Sequence, residues 1–180
     1  MTLDTAAIIA ETRAWVDRAV IGLNLCPFAK AVQVKGQVRY VVCTDSEPAE
    51  LLNALCDELH RLAESDAKDV DTTLLIHPAA LTDFLDFNDF LAVADAAVEE
   101  HGYAGILQIA SFHPQFQFAD THVNDVSNAT NRAPYPTLHL LRESSIDRAV
   151  AAFPEAESIF EANIETLEKL GADGWAALQA

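Results

Sequence analysis

The sequence lacks the glycine-rich patterns that most often hold a nucleotide. It contains no GxGxxG and no GxxxxGK[ST], and only 6 of its 180 residues are glycine. The HExxH, CxxC and GxSxG patterns are also missing. These absences disfavour a nucleotide cofactor bound by a glycine-rich loop and exclude little else, so no cofactor is assigned at this stage.

Basic residues and cysteines are scarce. The chain has 11 Lys and Arg against 28 Asp and Glu, for a net charge of −17. Nucleic acids and anionic membranes bind basic surfaces, so neither is an expected partner. No apolar run reaches the roughly 18 residues of a membrane-spanning helix. The 3 cysteines do not suggest a disulfide framework and indicate a reducing, cytoplasmic location. None of these features indicates an oligomeric state.

Apolar content and a local excess of positive charge are what the chain does have. Hydrophobic residues make up 51% of it, which is enough for a substantial core. Residues 12–42 hold 5 basic residues against 1 acidic residue, and residues 105–142 hold 2 of each. Most of the acidic residues fall on predicted helices, where they are expected to face solvent. Residues 12–42 and 105–142 therefore lack the excess of negative charge found in the rest of the chain.

Hydrophobic periodicity predicts that helices and strands alternate. The predicted strands are 38–43, 72–77, 104–110 and 137–142, and the main predicted helices are 4–22, 48–62, 82–101 and 154–171, with a short helix after 143. This order predicts an α/β fold in one globular domain, residues 1–180, with helices flanking a mostly parallel or mixed sheet of about four strands. Because no helix separates the last two strands, the fourth is expected to run antiparallel to the third or to lie at an edge.

The segment from Ser111 to Glu143 is the leading candidate for a functional site. Its irregular part exceeds the 12–15 residues above which loops are usually functional or disordered, and its aromatic residues argue against disorder. It carries 3 of the 6 histidines. The sequence locates a site here more firmly than it identifies a reaction.

We expect a small enzyme that acts on an anionic metabolite. Arg132 lies on a proline-flanked loop and suits bidentate binding of a carboxylate or phosphate, with Asn131 orienting the ligand. His113 or His139 could serve as general acid or base, because imidazole titrates near physiological pH. Cys26, within the basic stretch, could be a nucleophile if its pKa is depressed.

Each of these residues also has a structural interpretation. Cys26 could be a small buried hydrophobe, His139 a hydrogen-bonded core residue, and Arg132 a partner of Asp120 or Asp125. Convergence of Cys26 with the 111–143 segment is a hypothesis, since the two lie far apart in the chain.

Two other classes of function remain open. In the first, the segment is a lid or an interaction surface of a non-enzymatic protein, anchored by its aromatic residues Phe112, Phe116, Phe118 and Tyr135. In the second, the protein binds a metal ion through His113, Asp120, His122 and Asp125, although their spacing matches no standard site.

Several short motifs resemble those of an uncharacterised bacterial family whose members are about as long as this chain. The motifs are Leu25-Cys-Pro-Phe-Ala29, Phe112-His-Pro114 and the run Thr130-Asn-Arg-Ala-Pro-Tyr-Pro-Thr-Leu-His-Leu-Leu-Arg-Glu143. The resemblance covers essentially the whole chain. It implies that Cys26, His113, Asn131, Arg132, Tyr135, His139 and Arg142 belong to the family pattern, and it implies no substrate. We therefore expect Tyr135 and Arg142 to bind the substrate together with Asn131 and Arg132. The family pattern usually has Ser where this chain has Ala133, so a role for a hydroxyl group at that position is in doubt.

Overall fold

A computed structural model describes residues 3–180. Four strands and six α-helices follow one another, with short π- and 3₁₀-helical segments between them. The helices are α1 (Thr5–Trp15), α2 (Ala29–Val34), α3 (Pro48–Glu64), α4 (Phe84–Glu100), α5 (Glu143–Ala152) and α6 (Ile159–Gln179). The strands are β1 (Val38–Val42), β2 (Thr72–Ile76), β3 (Leu107–Phe112) and β4 (Thr137–Arg142). Within this part of the chain, no helix is both long enough and apolar enough to cross a membrane.

The strands form one mixed sheet in the order β1-β2-β4-β3. β1 and β2 are parallel, whereas β4 is antiparallel to both β2 and β3. The predicted α/β fold with a four-stranded mixed sheet is therefore confirmed, with one parallel pair. β4 does run antiparallel to β3, but it lies between β2 and β3 and not at an edge, so it is covered on both sides by neighbouring strands.

One face of the sheet is packed tightly against α3 and α4, and we call it the closed face. Leucines at helical spacing along α3 are fully buried: Leu51, Leu55, Leu59 and Leu62. Phe87 and Ala94 of α4 are equally buried. They meet Leu138 and Leu140, which project from β4 on this side. Spacing of three or four residues on the helices and two on the strand brings these side chains to one layer.

The opposite face is covered less completely, and we call it the cavity face. The end of α1 and the π-helical turn Val16–Ile21 place Trp15, Val16 and Val20 against Leu74 of β2. The short helix α2 and helix α5 cover the remainder. The predicted first helix is thus α1 followed by a π-helical turn, which ends at Gly22, where a Cβ atom would collide with the carbonyl oxygen of Arg18.

The long segment after β3 is ordered by packing against α6. Its 3₁₀ helix, Val126–Asn131, carries Ala129, which forms a small core with Leu25 and Leu167. Asn163 of α6 donates a hydrogen bond from its side-chain amide to the carbonyl oxygen of Leu25 at 2.9 Å. Helix α6 therefore holds both the long segment and the turn that carries Cys26.

Candidate functional site

A cavity of about 320 Å³ lies on the cavity face, between the sheet and the helices that cover it. Its floor is formed by residues of the sheet: Val38, Thr72, Leu74, Gln108, Ala110, His139 and Leu141. Its walls include Trp15, Cys26, Phe28, Val32 and Ala149. The space exists because some of the side chains on both sides of it are short: Ala110 on the floor, and Ala29 and Ala149 on the helices opposite. A cavity of this size and apolar lining is typical of small-molecule sites.

Cys26 lines this cavity on the turn that precedes α2. Burial raises the pKa of the Cys26 thiol, and backbone N–H groups of Phe28 and Ala29 offset only part of that effect. The thiol therefore keeps its proton at neutral pH. A depressed pKa, the condition under which a nucleophilic role was predicted, is not what this environment produces.

His139 lines the same cavity from the central strand β4. The Thr72 hydroxyl lies 2.7 Å from His139 Nε2 and 2.7 Å from the Leu140 carbonyl oxygen. A carbonyl oxygen can only accept, so the single hydroxyl proton goes to Leu140 and Nε2–H of His139 donates to the Thr72 oxygen. The other ring nitrogen, Nδ1, is then unprotonated. Enclosure by the protein lowers the pKa of His139 to about 4, so the ring is neutral at physiological pH.

A second cleft, of about 590 Å³, adjoins the cavity. Five residues line both spaces: Phe28, Val32, Asp71, Ser145 and Ala149. The outer part is lined by Lys35, Lys68 and Arg148, whose side chains are exposed and form no ion pair with a carboxylate within residues 3–180. We call this space the cationic cleft.

A chain of hydrogen bonds marks the boundary between the cavity and the cationic cleft. Arg148 Nη2 donates to Ser145 Oγ at 3.0 Å, and Ser145 Oγ donates to Asp71 Oδ1 at 2.6 Å. The Arg148 guanidinium has donors to spare beyond this bond, since it carries five N–H groups. Asp71 is the one acidic residue that lines the cleft.

His113 lies away from the cavity and serves the long segment. Its Nδ1 accepts a hydrogen bond from the Gln115 amide at 3.0 Å, and its Nε2 lies 3.2 Å from the Leu81 carbonyl oxygen. Its ring contacts Phe84 and Phe87, and burial lowers its pKa. Both ring nitrogens already have partners, an arrangement that suits a structural histidine.

Asn131 and Arg132 also make their contacts with the backbone of the long segment. The Asn131 amide donates to the Ser111 carbonyl oxygen at 3.1 Å. Arg132 donates from Nε to the Phe116 carbonyl oxygen at 3.1 Å and from Nη2 to that of Val123 at 2.7 Å. Neither residue lines the cavity or the cationic cleft. The partners of Arg132 are thus carbonyl groups and not the predicted Asp120 or Asp125.

Tyr135 and Arg142 are separated from the cavity in different ways. The Tyr135 hydroxyl donates to the Glu11 carboxylate, which raises the pKa of Tyr135 to about 12. Arg142 lies on the closed face, where Nη2 donates to the carbonyl oxygens of Ser65 and Val70 at 2.7 and 2.8 Å. Of the seven residues predicted for the site, the cavity therefore brings together two, Cys26 and His139.

The structure also bears on the two other classes of function. Within residues 3–180, no group of three or more His, Cys, Asp and Glu side chains could hold a metal ion. The aromatic residues of the long segment pack mainly on one another and on neighbouring helices: Phe116 contacts Phe84 and Phe118, and Phe118 contacts Phe160. They form internal contacts more than a free, flat surface.

Several residues of the cavity and the cleft were missed by sequence reasoning. Thr72, which sets the tautomer of His139, is an ordinary strand residue in the sequence. Lys35 belongs to the basic stretch 12–42, which was a usable signal. Lys68 and Arg148 come from distant loops and helices, and no local pattern relates them.

Comparison with known proteins identifies the family of the chain but no characterised relative. A model of the family described as "Protein of unknown function (DUF1415)" matches residues 7–177 of this chain. No curated protein and no solved structure matches the chain. The resemblance to an uncharacterised family, expected from the three motifs, is confirmed, and the match assigns no activity.

Proposed function

The chain belongs to this family of proteins of unknown function (DUF1415), and we propose that it binds an amphiphilic anion, a small molecule with an apolar body and a carboxylate or phosphate at one end. The observation that carries the proposal is that the cavity and the cationic cleft adjoin and have five lining residues in common. The apolar body occupies the cavity, and the anionic head lies near Lys35, Lys68 and Arg148.

The distribution of charge supports an anionic head group. In a chain with 28 acidic and 11 basic residues, the cationic cleft has 3 basic side chains and 1 acidic side chain. The surrounding acidity repels anions elsewhere on the surface, so an anion is best tolerated here. Because the three basic side chains are exposed, each adds only about 0.2–1 kcal/mol and is screened by salt. The anion therefore contributes orientation more than affinity.

The apolar body supplies most of the expected binding energy. Burial of one methylene group contributes about 0.8 kcal/mol, which corresponds to about fourfold in the dissociation constant. Affinity should rise by this factor with each added methylene until the cavity is filled and then level off. A plateau of this kind distinguishes a bounded cavity from a detergent-like association with the surface.

A titration of straight-chain ligands tests the proposal. Octanoate, decanoate and dodecanoate are compared with octanol and octylamine in the Trp175→Phe variant, so that Trp15 in the cavity wall is the only tryptophan that reports. We expect carboxylates to bind most tightly and the amine most weakly, with the carboxylate preference reduced at high salt. Equal binding of octanoate and octanol at low salt contradicts the anionic head group.

Lys30 of α2 and Lys35, the residue that follows α2, provide a matched control. Lys30 and Lys35 are both exposed, but only Lys35 lines the cationic cleft. Lys35→Glu should weaken octanoate binding about fivefold, the effect of about 1 kcal/mol, and leave octanol binding unchanged. Lys30→Glu makes the same change in net charge and should alter both ligands less than about twofold. Equal weakening by both variants contradicts a defined cationic cleft.

A second candidate function, nucleophilic catalysis, is favoured by the shared position of Cys26 and His139 on one cavity. Such catalysis requires the thiol to pass its proton to the imidazole. Burial raises the pKa of Cys26 above its ordinary value of 9.0 and lowers the pKa of His139 to about 4. Proton transfer from Cys26 to His139 without a bound substrate is therefore strongly unfavourable. Binding is better supported than catalysis for this reason. Catalysis needs a substrate that reverses both shifts, which appears as faster alkylation of Cys26 in its presence.

A further inference from the structure

We propose that His139 selects ligands that carry a hydroxyl group on the apolar chain, so that the occupant of the cavity is a hydroxylated amphiphilic anion. This inference rests on the proposed function and names the substrate class of the same site. The observation behind it is a fixed, unprotonated ring nitrogen on an otherwise mostly apolar floor.

The orientation of the His139 ring is determined by its neighbours. Nε2–H is committed to the Thr72 oxygen, whose own proton is committed to the Leu140 carbonyl oxygen. Reversing the ring would lose the bond to Thr72. Phe112 packs on the ring with centroids 6.0 Å apart and restricts its movement further.

The Nδ1 atom is consequently available to a ligand. It has no hydrogen-bond partner within residues 3–180, and it is not among the buried unpaired atoms, unlike Nε2 of His77. It therefore has some accessible surface, and the cavity is the space that His139 lines. Nδ1 carries a lone pair and no proton, so it accepts a hydrogen bond and donates none.

The acceptor Nδ1 on the cavity floor interacts differently with the carboxylate, the alkyl chain and the hydroxyl group of a ligand. A carboxylate also only accepts, so it is repelled from Nδ1 and stays in the cationic cleft. A plain alkyl chain that covers Nδ1 removes its water and leaves the atom unpaired, which weakens binding. A hydroxyl at the matching position replaces that water and restores the bond. The low pKa of His139 keeps the ring neutral, which suits hydrogen-bond acceptance better than proton storage.

Gln108, also on the floor, has a side chain with no hydrogen-bond partner within residues 3–180. It is exposed, and its flexible amide can both donate and accept. Such a group does not select one position on a ligand, whereas the rigid His139 ring does. The contributions of His139 and Gln108 can therefore be distinguished by how strongly the affinity depends on the position of the ligand's hydroxyl group.

The test compares dodecanoate with monohydroxydodecanoates whose hydroxyl is moved along the chain. One position should bind about tenfold more tightly than dodecanoate, because a single fixed acceptor matches a single carbon. His139→Phe retains a ring of similar size without an acceptor and should abolish this preference while dodecanoate still binds. Gln108→Leu should leave the preference intact.

Thr72→Val is a second test variant. Its effect is measured on the ring nitrogens of His139, which would not change if Thr72 contributed only to stability. Thr72 acts as a positioning residue through the His139 tautomer. Its loss frees Nε2–H, so the ¹⁵N resonances of the ring should shift from those of a single tautomer towards a mixture, and the hydroxyl preference should fall. In the unchanged protein, the matching isomer should shift the Nδ1 resonance and dodecanoate should not do so to the same extent.

The outcomes separate the two proposals. If dodecanoate binds and every hydroxylated isomer binds equally well, this inference is overturned and the proposed function stands. If none of the amphiphiles binds, the proposed function itself is wrong. If the preference survives in His139→Phe, another group provides the acceptor and the assignment to His139 is overturned.

Discussion

The two faces of the sheet are built by the same strands and differ in what covers them. On β4, Leu138 and Leu140 are fully buried against the long helices of the closed face. His139 and Leu141 alternate with them and line the cavity. The closed face has leucine and phenylalanine side chains that fill the space between layers, whereas the cavity face meets short helices and alanines. Side chains on one side of β4 therefore stabilise the fold, and those on the other side line the proposed ligand site.

The largest expected difference concerns two adjacent leucines. Leu140→Ala should reduce the free energy of unfolding by about 2–5 kcal/mol, because a void forms in a closely packed layer. Leu141→Ala enlarges a space that already exists and should cost about 1 kcal/mol. Urea unfolding of both variants measures the difference. Equal losses in the two variants would mean that the cavity face is as tightly packed as the closed face.

Added volume provides the converse comparison. Ala94 of α4 is fully buried on the closed face, whereas Ala110 of β3 is partly exposed to the cavity. Ala94→Leu should cost about 1–3 kcal/mol through overpacking. Ala110→Leu has room to enter and should change the stability by less than about 1 kcal/mol while weakening dodecanoate binding. If Ala110→Leu is as destabilising as Ala94→Leu, or if it leaves binding unchanged, the position of the cavity is wrong.

How far this arrangement could be predicted from sequence depends on the range of the pattern. The alternation in Thr137–Arg142 is local, and it correctly separates Leu138 and Leu140 from His139, with Arg142 on the side opposite His139. Which side is closed depends on helices far away in the chain. The long strand-connecting helices α3 and α4 were predicted, but the shortness of α2 and its failure to fill the sheet were not.

Arg132 shows a different limit. Its type and its proline-flanked position are consistent with anion binding, and the sequence contains nothing that opposes that interpretation. Its partners are the carbonyl groups of Phe116 and Val123, which are set by the irregular path of the long segment. Such a path has no periodicity from which it could be inferred. Lys68 and Arg148 were missed for a related reason, since only the tertiary fold brings them to one cleft.

The buried histidines on the two sides of the sheet, His77 and His139, should make the protein less stable in acid. Burial lowers the pKa of both His77, which packs on Phe87, and His139 to about 4 from an ordinary 6.5. The unfolded chain therefore binds more protons below pH 6.5, and stability falls as the pH drops from about 6.5 to about 4. Each ring should contribute a loss of about 2 kcal/mol between pH 7 and pH 5.

Variants of the two histidines show how much of this loss of stability each ring causes. His77→Phe and His139→Phe should each flatten the pH dependence of the free energy of unfolding, whatever they do to its value at pH 7. Dodecanoate should disfavour protonation of folded His139 still further, so it should steepen the pH dependence near pH 4 in His77→Phe and have no such effect in His139→Phe. An unchanged slope in both phenylalanine variants contradicts the prediction.

The smallest expected effect compares thiols on the two faces. Cys26 lines the cavity, whereas Cys43 packs against the core of the closed face. In variants that retain only one of these cysteines, dodecanoate should slow the alkylation of Cys26 by iodoacetamide a few-fold and leave that of Cys43 unchanged. Because burial raises the pKa of Cys26, its rate should keep rising with pH beyond the range in which an exposed thiol reaches its maximum rate. Iodoacetate carries a negative charge. Its rate of alkylation of Cys26, relative to that of iodoacetamide, should rise at low salt because the cationic cleft adjoins the cavity. If dodecanoate protects both thiols equally, its effect is global stabilisation, and the separation of the two faces by function fails.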